Sequence, residues 1–326
     1  MRHITILVPN GHNNLSSIVG SYKILNRANE YFNSESSTYK IVLAGTNNIV
    51  EFYDGLFTVR PHTTISAIKK SHLIIIPSLN HNYEEAIRDN TEIIEWITSQ
   101  YNNGAEIASV CTGAFLLAET GILDGVSCST HWAASDNFRL RFPKIKIEPD
   151  KLITDENGIY TNGGAYSFLN LIIYLVEKYF NRETAIYCSK VFQIEMDRQS
   201  QSEFIIFKGQ KQHTDEVVRE AQIYIEANMN TKISFEKLSE QLSVGRRNFD
   251  RRFIKATGNT PLEYMQRVRV ETAKKAFETT QLNVIEVMYS VGYSDIKAFR
   301  EVFRKVTGIS PLEYKTKYKK GKLAAG

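Results

Sequence analysis

The C-terminal third of the chain contains an internal repeat, and this repeat restricts the possible folds more than any other feature. Residues 249–264 read FDRRFIKATGNTPLEY and residues 299–314 read FREVFRKVTGISPLEY, with nine of sixteen positions identical and no gap. Such a repeat indicates one supersecondary unit used twice. Every segment from Asp215 onward has helical periodicity. We therefore predict an all-α domain over residues 215–320.

Each copy of the repeat is expected to pack through two phenylalanines that lie four residues apart on one helix face. These are Phe249 and Phe253 in the first copy, and Phe299 and Phe303 in the second. A short helix precedes each copy, at Phe235–Gln241 and at Val284–Ser290. A helix, a tight turn and a second helix form a helix-turn-helix unit. The domain should therefore hold two such units.

The ends of the repeated helices carry punctuating residues. Gly258 and Gly308 fit a left-handed C-terminal cap. Pro261 and Pro311, which follow them, are expected to stop the helix and turn the chain. A long helix over residues 262–279 should join the two units.

The helix faces opposite the phenylalanines carry the side chains that we predict to contact DNA. They are Arg246, Arg247, Asp250 and Arg251 in the first unit, with Ile254 beside them, and Lys297, Arg300, Glu301 and Arg304 in the second. Arginine can bind guanine O6 and N7 bidentately in the major groove, and either basic residue can neutralise a phosphate. Solvated helix charges would look the same, so which side chains touch a base stays open.

The charge distribution favours a polyanionic partner for the C-terminal region alone. The chain has a net charge of +4, but residues 209–326 hold 22 Lys and Arg against 14 Asp and Glu, a net of +8. Residues 1–208 are therefore net −4. A basic region on an acidic body indicates that the basic part meets the nucleic acid. The predicted partner is double-stranded operator DNA.

Residues 215–320 resemble the AraC-type DNA-binding domain. The matching residues are Arg251-Arg252-Phe253, Thr257-Gly258 with Pro261, Val291-Gly292-Tyr293-Ser294-Asp295, and Phe299 with Phe303. The resemblance implies that two recognition helices enter successive major-groove segments on one face of the duplex. Gly245 departs from it by replacing the usual Ser or Thr at the start of the first recognition helix. Glycine caps a helix only slightly less well, so little consequence is expected.

The first two hundred residues alternate strand-like and helix-like segments, which predicts a parallel sheet covered on both faces. The strands are expected at residues 4–8, 40–43, 73–76 and 106–110. The helices are expected at residues 15–31, 91–101, 114–120 and 168–180. The polar residues 207–214 are interpreted as a linker, which places the N-terminal domain at residues 1–206.

A strand that ends in Cys111-Thr112-Gly113 and runs into a helix has the form of a nucleophile elbow. Gly113 gives the turn room. The nearby helix N-terminus is expected to favour the thiolate and lower the pKa of Cys111.

Residues 1–200 resemble the PfpI-like branch of the class-I glutamine amidotransferase superfamily, which implies a flavodoxin-like fold. The matching residues are the Cys111 elbow, Gly121-Ile122-Leu123-Asp124-Gly125, Thr130-His131-Trp132, and Thr161-Asn162-Gly163-Gly164. The whole chain resembles the GlxA-like regulators, in which such a domain precedes an AraC-type domain. The segment from Phe192 to Gln201 resembles the junction of that group and could set the geometry between the domains.

The catalytic set of a cysteine hydrolase looks incomplete in this chain. Thr112 stands where peptidase-like relatives carry histidine, residues 10–17 contain no carboxylate, and residues 77–81, which end at His81, lack a glycine pair. We therefore predict no catalytic residues. The candidate pocket for a small-molecule effector consists of Cys111, Thr112, His131, Ser16, Ser17 and Asn80.

Two alternatives remain open: a cysteine-dependent hydrolase or hydratase, and a thiol redox sensor, each fused to the DNA-binding domain. The three cysteines have no CxxC spacing, so no metal site and no disulfide framework are expected. We also expect no cofactor, no membrane span, a cytoplasmic location, and a homodimer formed through the N-terminal domain.

Overall fold

The structure, a computed structural model, describes residues 2–32, 39–80 and 82–319. Within the predicted ranges, Met1, residues 33–38, His81 and Lys320 lie outside these described residues. The chain divides into two compact units, and the division falls between Gln201 and Ser202.

The first unit contains a mostly parallel sheet. Its strands are β1 (Arg2–Leu7), β2 (Tyr39–Gly45), β3 (Val50–Phe52), β4 (Phe57–Val59), β5 (Thr63–Thr64), β6 (Leu73–Ile76), β7 (Glu106–Ser109), β8 (Ser127–Cys128), β9 (Lys146–Ile147), β10 (Ile153–Glu156) and β11 (Ile159–Asn162). Among the described residues, seven of these form one sheet in the order β10-β11-β7-β6-β1-β2-β5, and only the β10–β11 pair is antiparallel. The predicted fold class is therefore confirmed, and the four predicted strands correspond to β1, β2, β6 and β7.

Helices cover both faces of this sheet. They are α1 (Leu15–Phe32), α2 (Tyr83–Arg88), α3 (Thr91–Asn102), α4 (Ala114–Glu119), α5 (Ser135–Arg141), α6 (Phe168–Tyr179) and α7 (Arg182–Phe192). Successive residues of a strand point to opposite faces, so Leu73 and Ile75 join the core with α1, α6 and α7. Ile74 and Ile76 join the core on the other face. Burial on both faces explains why these strands are continuous apolar runs.

The second unit is helical. Its helices are α8 (Glu216–Ala227), α9 (Phe235–Gln241), α10 (Arg246–Thr257), α11 (Pro261–Thr279), α12 (Val284–Ser290), α13 (Ile296–Thr307) and α14 (Pro311–Tyr318). The four repeat phenylalanines are fully buried in two cores, one for each helix-turn-helix unit. The inward face predicted from the repeat is therefore the observed one.

The punctuating residues of the repeat differ in part from expectation. Gly258 and Gly308 end α10 and α13 with φ of 70° and 81°, as predicted. The prolines, however, do not act as stops, because Pro261 and Pro311 each occupy the first turn of the next helix. A missing backbone N–H costs nothing at that position. Thr260 caps α11 in a capping box with Glu263, and Ser310 and Glu313 repeat the arrangement at α14.

The segment interpreted as a linker is packed on the second unit. The Phe207 ring lies edge-on to Tyr264, with ring centroids 5.3 Å apart. The Gln210 carbonyl accepts a hydrogen bond from Gln222 at 3.0 Å, and Lys211 forms an ion pair with Glu226 at 2.7 Å. These contacts hold the polar segment against α8 and α11.

Candidate nucleic-acid interface and elbow pocket

The first candidate recognition helix, α10, presents a basic face to solvent. Arg247, Arg251 and Ile254 are exposed, as the helix wheel predicts. Asp250 is only partly exposed, and it forms an ion pair with Arg246 in which Nε and Oδ2 lie 3.0 Å apart. Arg251 donates to the Asn248 Oδ1 at 2.9 Å. Two of the arginines of this helix are thus already oriented by neighbours on the same helix.

The start of α10 explains why glycine is tolerated there. Gly245 is the N-cap, with an extended backbone at φ −64° and no side-chain capping bond. A Cβ atom at this position would meet nothing within 4 Å. Neither conformation nor space therefore requires glycine, and serine would fit.

The second candidate recognition helix, α13, presents an exposed face that carries three cations. Lys297, Arg300, Glu301 and Arg304 are all exposed. Within the described part of the chain, no carboxylate oxygen lies within 4.0 Å of the three cations. Asp295 instead caps the helix through the Ala298 amide at 2.6 Å. Unpaired cations on one helix face form a surface suited to phosphates and guanine edges.

Helix α11 fixes the two helix-turn-helix units to each other. The buried Arg269 donates to the carbonyls of Met229 at 2.6 Å and Thr231 at 2.8 Å, both in the loop between α8 and α9. Its guanidinium also lies 5.0 Å from the ring centroid of Tyr293, beside the turn between α12 and α13. Gly292 in that turn, at φ +79°, packs against the backbone of Asn230. These contacts therefore link the two helix-turn-helix units, and with them the two candidate recognition helices, to each other.

An ion pair also ties α10 to the start of α8. Arg252 donates to both carboxylate oxygens of Asp215, at 2.8 and 2.6 Å. Asp215 also caps α8 by accepting from the Val218 amide at 3.2 Å. These interactions, the Arg252 bond first, hold the pKa of Asp215 below its ordinary value of 3.8.

We expect Asp215→Asn to lower the free energy of unfolding of the second unit near pH 7, with the difference from wild type shrinking as the pH falls below the ordinary aspartate pKa of 3.8. A carboxyl whose pKa is depressed on folding stabilises the fold above its unfolded pKa. That contribution is lost as the pH falls through the folded pKa. Asparagine retains the cap, so the substitution isolates the charge. Denaturant unfolding followed by circular dichroism measures this, and a pH-independent difference would contradict it.

The sharp turn predicted after β7 is present. Cys111 has φ +54°, a conformation that non-glycine residues rarely adopt, and it begins the short 3-10 turn, Cys111–Gly113, that precedes α4. Gly113 is required two residues later, because a Cβ atom there would lie 2.5 Å from the Pro77 carbonyl oxygen and 3.0 Å from that of Ile76. The turn thus places Cys111 at the carboxyl edge of the parallel strands, where α/β folds bind ligands.

The expectation of a lowered pKa for Cys111 is wrong. The residue is only 3% exposed, and burial raises the pKa of its thiol. Hydrogen bonds from Ser78, the Ala165 amide and Thr112 oppose this rise without overcoming it. Burial disfavours the charged thiolate, which is the form that acts as a nucleophile.

Hydroxyl groups join three loops around the elbow. The Thr112 hydroxyl lies 2.9 Å from that of Ser78 and donates to the Leu79 carbonyl at 2.7 Å. The Ser17 hydroxyl in turn accepts from the Ser78 amide at 3.1 Å. Cys111, Thr112 and Ser17 are thus brought together through Ser78, which the sequence reasoning did not select.

The remaining pocket candidates lie on neighbouring loops. The His131 Nδ1 accepts from the Ala133 amide at 3.1 Å, so this nitrogen caps a short turn. The Ser16 hydroxyl lies 3.5 Å from the hydroxyl of Tyr166. The backbone N–H of Asn80 donates to the His12 carbonyl at 2.9 Å. Ala165 and Tyr166 follow the Gly163-Gly164 pair, which is visible in the sequence. That pair is the signal that could have indicated the contacts of Ala165 with Cys111 and of Tyr166 with Ser16.

Two further kinds of site are absent from the residues that the structure describes. No helix in that part of the chain is long and apolar enough to cross a bilayer. No cluster of three or more His, Cys, Asp or Glu residues there could hold a metal ion.

The two units define a class of protein that joins an α/β unit with a cysteine elbow to a pair of helix-turn-helix units. Residues 3–178 match the DJ-1/PfpI family, and the chain belongs to this family. Residues 238–317 match a helix-turn-helix domain family. The predicted architecture, a PfpI-like domain followed by an AraC-type domain, is thereby confirmed.

Similar proteins include bacterial regulators. The chain is 26% identical over 221 residues to the HTH-type transcriptional regulator GbdR of Pseudomonas aeruginosa, covering 68% of this chain and 60% of GbdR. It is 26% identical over 212 residues to the HTH-type transcriptional regulator ArgR of the same species, covering 65% and 64%. The match thus spans less than two thirds of either relative. A ThiJ/PfpI family protein from Pseudomonas syringae shares the fold, with a TM-score of 0.51 at 19% identity over 74% of this chain and 90% of that one.

Proposed function

We propose that the chain is a sequence-specific DNA-binding transcription regulator that reads an operator with α10 and α13. The observation that carries this proposal is the exposed basic face of α13, which has no ion pair to a carboxylate among the described residues and lies in the same unit as the basic face of α10. The exposed arginines can supply bidentate donors for guanine, and Lys297 can supply charge for phosphates. These arginines are Arg247, Arg251, Arg300 and Arg304. The similarity to transcription regulators supports the same function.

The first unit is proposed to bind a small-molecule effector at the elbow without turning it over. The raised pKa of the buried Cys111 thiol supports a role in binding rather than nucleophilic attack. An effector there can act only through different affinities for DNA-competent and DNA-incompetent states. We further propose that the protein works in the cytoplasm and that it forms a homodimer through this unit, as the resemblance to GlxA-like regulators implies.

We expect Arg251→Ala and Arg300→Ala to weaken operator binding at two separate positions of the site. Each loses a contact worth about 1–3 kcal/mol, roughly 5- to 150-fold in affinity, and flattens base preference near that contact. Footprinting each variant on a genomic fragment selected by the wild-type protein measures both effects. Lys275→Ala, an exposed cation on α11, is the matched control. Indistinguishable footprints for the two arginine variants would refute two separate readers, and absence of wild-type binding at low salt would refute the function.

A further inference from the structure

Gln201, the last residue of the first unit, has a fully bonded and buried side chain. Only 1% of the residue is exposed. Its Nε2 donates to the carbonyls of Thr130 at 2.9 Å and Pro149 at 2.8 Å, and its Oε1 accepts from the Gly164 amide at 2.7 Å. Both donor hydrogens and the acceptor are therefore used inside the unit. A polar residue buried in this way at the edge of a domain holds its chain segment firmly.

The loops that Gln201 joins are the loops that surround the elbow. Thr130 donates through its hydroxyl to the Cys111 carbonyl at 2.8 Å. Gly164 precedes Ala165, whose amide hydrogen-bonds to the Cys111 thiol and whose φ is +29°. A Cβ atom on Gly163 would lie 2.5 Å from the Gln201 Nε2, so this loop is shaped around the glutamine. A displacement of either loop must break hydrogen bonds to Gln201.

The residues that follow Gln201 are pinned to the second unit within a few positions. Glu203 forms an ion pair with Lys317 at 2.8 Å. Lys274 donates to the Ile205 carbonyl, and Glu271 accepts from the Phe207 amide at 3.1 Å. Both anchors lie on α11, the helix that fixes the two recognition helices. Ser202 alone therefore separates the residue bonded within the first unit from the first residue paired within the second.

We propose that Gln201 is a positioning residue that couples the elbow loops to the DNA-binding unit. The inference rests on the proposed function and names its regulation. When an effector shifts the loop at Gly164, the hydrogen bonds of Gln201 change. The segment from Ser202 to Phe207 then transmits the change to α11. Linkage makes the coupling reciprocal, so DNA bound to the second unit must also change the stability of the elbow loops.

Amide hydrogen exchange of the segment from Gly163 to Phe168 tests this coupling in the full-length protein. The probe is a genomic DNA fragment selected by the wild-type protein. We expect saturating DNA to change the exchange rate of this segment by about 5-fold or more in wild type, the lower end of usual couplings. In Gln201→Ala the change should fall below about 2-fold.

Two further variants make the result decisive. Gln201→Met keeps a side chain of similar length and loses the donors and the acceptor, so it should also lose the coupling while disturbing packing less. Gln199→Ala, an exposed glutamine on the same segment, should retain the wild-type change. An unchanged exchange rate in wild type on DNA binding, or a full change in both Gln201 variants, would overturn the coupling while leaving DNA binding intact. Failure of the wild-type protein to bind any fragment would overturn the proposed function, and the coupling with it.

Discussion

Lys274→Met is expected to reduce the free energy of unfolding of the second unit by about 3–5 kcal/mol. The side chains of Lys274 and Glu271 are 5% and 10% exposed and form an ion pair at 3.0 Å. Methionine has a similar length but no charge, so the Glu271 carboxylate stays buried after losing its cation. An uncompensated buried charge is far more costly than the pair itself is stabilising.

The measurement can separate the two units of the chain. Both tryptophans, Trp96 and Trp132, lie in the first unit, so their fluorescence follows that unit while circular dichroism follows all helices. We expect Lys274→Met to lower the unfolding midpoint that circular dichroism reports and to leave the midpoint reported by tryptophan fluorescence unchanged. Lys275→Met, at an exposed neighbouring position, should change stability by less than about 0.5 kcal/mol. Adding Glu271→Leu to Lys274→Met should recover part of the loss, and equal stability of the single and double variants would contradict this account.

Gly292→Ala should destabilise the second unit by about 2–5 kcal/mol. The residue has φ +79°, which costs a residue with a Cβ atom about 1–2 kcal/mol. The added Cβ atom would also lie 2.6 Å from the Asn230 carbonyl oxygen and 2.8 Å from its Cα. Backbone atoms cannot rotate away as a side chain can, and such overpacking adds about 1–3 kcal/mol.

The change at Gly292 should also weaken DNA binding at temperatures where the unit stays folded, because the displaced turn carries α13 with it. Denaturant unfolding and a binding titration on the same preparation measure the two effects. Gly245→Ser is the matched glycine control, and it should keep or slightly raise stability, because the site is open and serine caps a helix well. Wild-type stability of Gly292→Ala would show that this close approach does not constrain the fold.

The repeat made the second unit predictable because each of its signals is local. The phenylalanine spacing and the terminal glycines act within a few residues of the helices that they shape. The capping boxes at Thr260 and Ser310 were equally local, but the prolines were interpreted as stops rather than as first-turn residues. The ion pair of Arg252 with Asp215 spans 37 residues, and no local pattern indicates it.

The elbow was predictable in shape and not in chemistry. The strand, the cysteine and the glycine define the turn, but the pKa depends on how deeply the thiol is buried. It also depends on hydrogen bonds from Ser78 and the Ala165 amide, which are distant from Cys111 in sequence and close to it only in the folded unit. The β10–β11 hairpin was missed although Asn157-Gly158 marks it, since both residues have the positive φ that a tight hairpin turn requires.

The link that α11 makes between the two helix-turn-helix units has a consequence for the duplex. When Arg269 locks the two recognition helices at one separation, the protein cannot adjust to a site whose grooves are spaced differently. Any mismatch must then be absorbed by bending or twisting of the double helix, at an energy that depends on the base steps between the two contacted segments. Under the proposed function, selectivity therefore extends to nucleotides that no side chain touches, with flexible pyrimidine–purine steps favoured at the centre of the operator.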